Sequence, residues 1–386
     1  MKVLKLMLKN TLRHKLRTTL TILGISIAVM AFGFLRTVVT AWYAGVEASS
    51  PNRLIARNAV SFIFPLPFAY RERIAQIPGV ETVAYMNWFQ GVYIDKSQFF
   101  ARMAVDMESS LKTYPEFIIP PEQREILLRE RNACVVGADL AVQYGFEIGD
   151  VIPIEGDIYP GQWEFVVRAI YQPRDKTVDG TQMWFHWQYL DERMKQDMPG
   201  RSGDVGWYII RINNPADAGR ISERVDELFK NSRAETKTET EAAFQQGFIA
   251  GTGLIIQLLN FLSFVIIGII MLVLGNTMIM SARERTKEYA VLKTLGFSGG
   301  RLISLIAGES LVISFFGAVL GLLLTLPLVE MFSLFVPKSW FPIFYVEPIT
   351  YVLAGASALT VGIVAALFPI QRAVRTSIVD GLRFVG

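Results

Sequence analysis

Four long apolar runs divide the chain, at residues 19–41, 254–281, 302–329 and 349–370. Each has the roughly 20 mostly apolar residues that a helix needs to cross a bilayer. Between the first and second runs lies a block of another kind, residues 42–253, where apolar and polar positions alternate. At roughly 210 residues, that block is long enough to bury a core of its own. Polar breaks also separate the later runs, 282–301 after the second and 330–348 after the third. The pattern predicts a membrane α-helical protein of four transmembrane helices, with a mixed α and β domain inserted between helices 1 and 2.

Inside the block, PFAYRERIAQIPGVETVAYMNWFQGVYI reads as a short helix, a Pro78–Gly79 turn and alternating strands. RNACVVGADLAVQYGFEIGDVIPIEG reads as strand, short helix, glycine turn and strand, and QWEFVVRAIYQP and DVGWYIIRINN as further strands. ADAGRISERVDELFKNS is an amphipathic helix with Ile221, Val225 and Leu228 on one face. SFIFPLPFA, residues 61–69, is unusually apolar. A strand buried in the domain is expected there, and contact with lipid or an acyl-bearing substrate is the alternative. Trp184, Trp187 and Tyr189 likewise read as core.

The break at 282–301 sets Arg283, Arg285, Lys287, Lys293 and Arg301 against Glu284 and Glu288. From Asn276 to Leu295 there is neither Pro nor internal Gly, so one continuous helix is expected. Gly296 then suits the left-handed C′ position, with Lys293 in the last turn, and Ser298 is placed to cap the next helix. The prediction is a rigid, charged elbow joining the second and third spans. A loop whose charges only set topology is the plainer reading.

Few polar groups interrupt the apolar runs. Arg36 lies near the outer end of the first, where it either snorkels to the headgroups or pairs with an acid such as Glu330. Trp42 and Tyr43 mark the outer interface. Asn276 lies in the second run, and Glu309 about two turns into the third, where a carboxylate must face other helices or water. Gly24 with Ala28, and Gly317 with Gly321, make faces of small residues suited to close helix packing. The fourth run is similarly rich in Ala and Gly.

A hydrophobic content of 52% and a mean hydropathy of +0.35 exclude an ordinary soluble protein. The net charge of +3 says less than its distribution. Lys2, Lys5, Lys9, Arg13, Lys15 and Arg17 precede the first run, and Arg372, Arg375 and Arg383 follow the last. The 330–348 loop has only Lys338. By the positive-inside rule both termini and the elbow are cytoplasmic, while the large block and the 330–348 loop are external. Residues 1–18 form a basic amphipathic helix suited to the inner membrane surface. The competing reading, a cleaved signal peptide, is opposed by the length of the basic segment and by the lack of a small-x-small site. Basic charge that leads straight into a span argues against a nucleic-acid partner.

Catalytic chemistry is not legible. No GxxxxGK[ST] phosphate loop occurs, no GxSxG elbow, and His14 and His186 are far apart. No Cys/His cluster offers metal ligands, and Cys134, being alone, has no disulfide partner in the chain. The expectation is a chain that is no enzyme and binds no cofactor or metal.

The run NTMIMSARERTKEYAVLKTLGFSGGRLISLIAGESLVISFFGAVLG resembles the signature of the MacB/FtsX-like permeases, the membrane subunits of a class of ATP-binding-cassette systems. NTLRHKLRTTLTILGISIAV resembles the family's opening segment. VVGADLA…GFEIGDVI…EFVVRAIY resembles its extracytoplasmic domain. The tail resembles the family's closing P…A…P…LR pattern, with Ser377–Ile378 where the middle Pro is expected. The resemblance implies an α+β extracytoplasmic core domain with an inserted second lobe, expected here around residues 101–129. It also implies that residues 282–301 dock on a separate ABC ATPase subunit, which alone uses ATP and magnesium. Arg283, Glu284, Arg285, Glu288, Lys293 and Gly296 are then the coupling candidates. The implied assembly is a homodimer or a pair with a paralogous permease in the cell inner membrane, with a periplasmic adaptor as a further partner. Residues 371–386 form its cytoplasmic tail. The implied function is the permease role: ATP hydrolysis moves the external domain and drives export or lipoprotein or lipid release. The alternative is an FtsX-like regulator that activates an external enzyme; that branch has a much smaller external domain. A receptor or scaffold without any ATPase is the third reading.

Overall fold

The computed structural model describes residues 15–250, 253–335, 341 and 343–375. Lys2, Lys5, Lys9, Arg13, His14, Lys338, Ser377–Ile378 and Arg383 lie outside the described residues. The chain divides into two compact units, one of residues 1–40, 252–335 and 344–386, the other of 41–251 and 336–343.

The first unit is helical. Its long helices are Lys15–Glu47, Gly253–Glu284, Gly299–Phe335 and Pro348–Arg375, all long and apolar enough to cross a membrane. The first, of 33 residues, is about 50 Å long at 1.5 Å per residue, well beyond the bilayer core. Its end from Ala41 onward belongs to the second unit. Thr18, Thr21, Ile25, Val29 and Gly33 form its buried stripe, at the helical spacing that points one face inward. Ile25 and Val29 share a core with Leu274 and Met278 of the second span, Ile306 and Ile313 of the third and Ala358 and Val361 of the fourth.

Small residues let these helices touch. A Cβ on Gly317 would come within 2.5 Å of Ile25 Cγ2, and one on Gly321 within 2.7 Å of the Ser26 carbonyl oxygen. Gly24 is looser, with Val273 Cγ1 3.6 Å from where its Cβ would be. Ser310 Oγ donates to the Gly362 carbonyl at 2.6 Å, stitching the third span to the fourth.

The second unit is built on one sheet. Its strands are β1 (Arg53–Asn58), β2 (Leu66–Pro67), β3 (Val80–Trp88), β4 (Arg102–Val105), β5 (Phe117–Ile118) and β6 (Ala133–Gly137). β7 (Val151–Gly156), β8 (Gly161–Pro173), β9 (Met183–His186), β10 (Asp204–Val205), β11 (Trp207–Ile212) and β12 (Thr236–Thr240) complete them. The order is β12-β1-β11-β3-β4-β9-β6-β8-β5, with β7 also on β8, while β2 and β10 form a separate pair. Among the described strands, only β4 with β9 and β6 with β8 run parallel.

Period-two alternation sends neighbouring residues to opposite cores. Leu54 and Ala56 of β1 enter one hydrophobic cluster with Phe165, Phe185 and Ile221, and Ile55 between them enters the other, with Trp184, Met107 and Leu127. Helix Ala218–Leu228 buries Ile221 and Val225 in the first, as its pattern predicts. Trp184 and Trp187 are buried, as expected of core. Cys134 is buried in β6, where burial pushes its thiol pKa up. His186 is also buried and bonds the Leu127 carbonyl through Nε2 at 2.6 Å.

Two expectations are corrected. Residues 101–129 are not a separate lobe: β4 pairs with β3 on one side and β9 on the other, in the middle of the sheet. Met107, Leu111, Phe117 and Leu127 from that segment fill one of the two cores, which is what binds it to the rest. What interrupts the simple meander is the whole run from β4 to β9, which lies between β3 and β11 along the chain but extends the sheet beyond β3, leaving β3 and β11 paired with each other. In 61–69, only Leu66–Pro67 is a strand, and Leu66 is buried. Phe62 packs on Trp207 and Phe244, but Ile63 is 88% and Phe64 53% exposed, because the short loop offers them no facing layer.

Candidate functional site

The second span does not run on to Leu295. It ends at Glu284, and a separate short helix, Thr286–Thr294, follows after Arg285, whose φ of −99° and ψ of 12° leave the helical region. Local competition accounts for the bend. Thr286 Oγ1 donates to the carbonyls of Ala282 and Arg283 at 3.2 and 2.9 Å, drawing the backbone out of regular register. The expected continuous helix from Asn276 to Leu295 is therefore two helices with a corner.

The corner turns Arg285 inward. Its Nη1 donates to Glu309 Oε2 at 2.8 Å and its Nε to Glu288 Oε2 at 3.1 Å, with side-chain exposures of 12% for Arg285 and 10% for Glu309 in the first of these pairs. The Tyr289 ring lies 5.6 Å from the guanidinium. Burial alone would disfavour the guanidinium charge. Tyr289, Glu309 and Glu288 more than offset it, and the Arg285 pKa lies above the ordinary arginine value. Burial pushes the Tyr289 hydroxyl up to about 12, so it is protonated and uncharged at neutral pH. Glu309 thus faces the bundle, where its charge is matched.

Two further contacts tie the elbow down. Glu284 accepts two bonds from Arg17 Nη2 of the first span, at 2.7 and 2.8 Å. Lys293 Nζ donates to the Val374 carbonyl of the fourth span at 2.9 Å. The elbow is therefore attached by side chains to the first span through Glu284, to the third through Arg285 and to the fourth through Lys293. The short helix closes as its sequence predicts. Gly296 has φ +85°, its N–H bonds the Lys293 carbonyl at 3.1 Å, and the Phe297 N–H bonds the Leu292 carbonyl at 3.0 Å, which is the Schellman pattern. Ser298 then leads into the third span, its carbonyl accepting from the N–H groups of Arg301 and Leu302.

Of the predicted coupling residues, Arg283 is exposed, and Glu284, Arg285, Glu288 and Lys293 hold contacts inside the chain. Lys287 and Arg301 are exposed as well. The roles of Arg17 and of the Val374 carbonyl were not legible, since nothing local to either marks its partner. Among the intramembrane polar residues, Asn276 lies on an exposed face of the second span. Arg36 is half-buried and makes no ion pair with exposed Glu330; its Nε meets no acceptor among the described residues. Among the described residues there is no group of three or more His, Cys, Asp or Glu able to hold a metal ion.

Comparison with known proteins places these features. The profile of the FtsX-like permease C-terminal region matches residues 260–378, which include the elbow. That of the MacB-like periplasmic core domain matches residues 18–228. An uncharacterized ABC transporter permease of Methanocaldococcus jannaschii is 22% identical, covering 97% of this chain and 96% of its own length. An uncharacterized ABC transporter permease protein of Mycobacterium tuberculosis is 24% identical over 67% of this chain, which spans only 29% of that protein. Among solved structures, the periplasmic region of MacB from Actinobacillus actinomycetemcomitans covers 53% of this chain and 95% of its own, with a TM-score of 0.37 and 8% identity. The extracellular domain of the Gram-positive transporter YknZ covers 49% and 99%, with a TM-score of 0.36 and 8% identity. With the core-domain profile spanning more than half of its residues and the permease profile covering the spans beyond, the chain belongs to the MacB/FtsX-like family of ABC transporter permeases.

Proposed function

We propose that this chain is the membrane subunit through which a separate ABC ATPase moves an external domain, driving export or the release of a lipoprotein or lipid. The observation that carries the reading is the elbow. It is one short helix between two spans, bonded to the remaining two, so a push on it is shared by the whole bundle. Arg283, Lys287 and Arg301 are its exposed cations and form the surface offered to the ATPase. Arg285, Glu288 and Glu309 keep the elbow's shape. The chain itself carries no catalytic group, ATP and magnesium belong to the ATPase, and two copies or this chain and a paralogue complete the membrane part. A periplasmic adaptor is a further partner of the external domain. The orientation follows the positive charge, with both termini and the elbow cytoplasmic.

Co-purification with the ATPase tests this. Arg283→Glu combined with Lys287→Glu is expected to reduce capture at least tenfold, about 1.4 kcal/mol or more. Asn276→Ala, on the same helix as Arg283 but outside the elbow, is expected to leave capture unchanged. Full capture by the double reversal would move the contact off the elbow, and no capture by the wild type would overturn the transporter reading. If the wild-type pair instead activates an external hydrolase and moves no substrate, the regulatory alternative takes its place.

A further inference from the structure

One arginine gathers both connectors of the external domain. Arg53 opens β1, just after the first membrane helix ends at Glu47. Its Nε donates to Glu241 Oε2 at 2.7 Å, and its Nη1 donates to Glu116 and, at 3.3 Å, to the Thr113 carbonyl. The Tyr114 ring centre lies 4.3 Å from the guanidinium carbon. Glu241 in turn begins the helix Glu241–Ala250, the last element before the second membrane helix at Gly253, and it accepts the Ser50 N–H at 2.8 Å. Arg53, Glu116 and Glu241 are all buried.

The segments of Arg53 and Glu241 already lie side by side, because β1 pairs with β12, so what the arginine adds is the third segment. Residues 50–53 lead in from the first span and Glu241 leads out to the second. Glu116 adjoins β5, at the opposite end of the strand order from β12 and β1. A guanidinium suits this task because its planar fork holds two carboxylates in fixed directions, which the point charge of a lysine does not. The cluster is also costly to disturb, since removing one partner strands a buried charge.

We propose that Arg53 is the positioning residue that locks both membrane connectors to the far end of the sheet. Movement arriving through the connectors is then delivered to the external domain as one body instead of being absorbed where the chain enters it. This inference rests on the reading above, in which movement starts at the elbow and reaches the external domain.

The test uses the full chain with its ATPase in lipid nanodiscs, spin-labelled at Glu223→Cys and Leu334→Cys, both exposed positions. Cys134 is buried and stays unlabelled. Wild type is expected to show an ATP-dependent shift in the distance between labels. Arg53→Lys is expected to lose at least half of that shift while ATPase capture and turnover stay unchanged. Glu241→Gln, which keeps shape and removes charge, serves if the lysine variant does not fold, and the same loss is expected. Arg57→Met breaks a comparable pair with Glu239 that touches neither connector directly, and the shift should survive it. A full shift in folded Arg53→Lys and Glu241→Gln, or an equal loss in Arg57→Met, would overturn the joint alone. No shift in wild type would bring down both the joint and the reading it rests on.

Discussion

Arg285 decides which charges the elbow keeps for itself. In the sequence it is one of five cations on a short polar stretch. In the structure it is half-buried between Glu309 and Glu288, and Arg283, Lys287 and Arg301 stay exposed. Glu309 was legible as an acid needing a partner, because a carboxylate at that depth is expensive. The identity of the partner was not, because it depends on a bend that a helix without Pro or Gly does not announce. Gly296 was fully legible, since a left-handed C′ position has a known residue preference. Deleting one partner should cost more than deleting both. Glu309→Met is expected to destabilise the bundle by about 3 kcal/mol, and the double variant Arg285→Met with Glu309→Met to recover most of that loss. Thermal unfolding in detergent reads the cycle, and additive losses would refute the pairing.

At the scale of elements, hydropathy alone marks the four spans, and alternation marks most strands. What it does not mark is their order. β4 finds β9 and β6 finds β8 in parallel across long stretches of chain, and no local pattern encodes such pairings. The misplaced lobe at 101–129 has this cause: Pro115, Pro120 and Pro121 cluster there as at a boundary, while Arg102–Val105 is a fully paired central strand. Helix packing was easier to read, because small residues four apart announce close contact. Gly321→Val would place a side chain against the Ser26 carbonyl, a backbone atom that cannot yield, at a cost of about 1–3 kcal/mol. Gly355→Val, in the fourth span with open space around its Cβ position, should be close to neutral. Equal melting temperatures for the two variants would remove the case for a third-span contact at Gly321.

For the whole molecule, the order of parts is plain: one span, the external domain, then three spans linked by the elbow and a short loop. The orientation proposed for the parts rests on charge alone. A membrane-impermeant thiol reagent applied to intact cells is expected to modify Glu223→Cys and to reach Arg283→Cys only once the membrane is opened. The reverse pattern would invert the molecule and place the elbow outside.

The neighbouring positions of β1 and β12 have one more consequence. Leu54 faces Thr240 across an antiparallel pair, so the strand nearest the way in lies beside the strand nearest the way out. A domain whose two ends meet in this way can be exchanged as a cassette. A lineage could enlarge, replace or shed it by altering a single insertion point and leave the four membrane helices as they were. Diversity among such proteins would then accumulate in the cassette, and sameness would persist in the helices and the elbow that joins them.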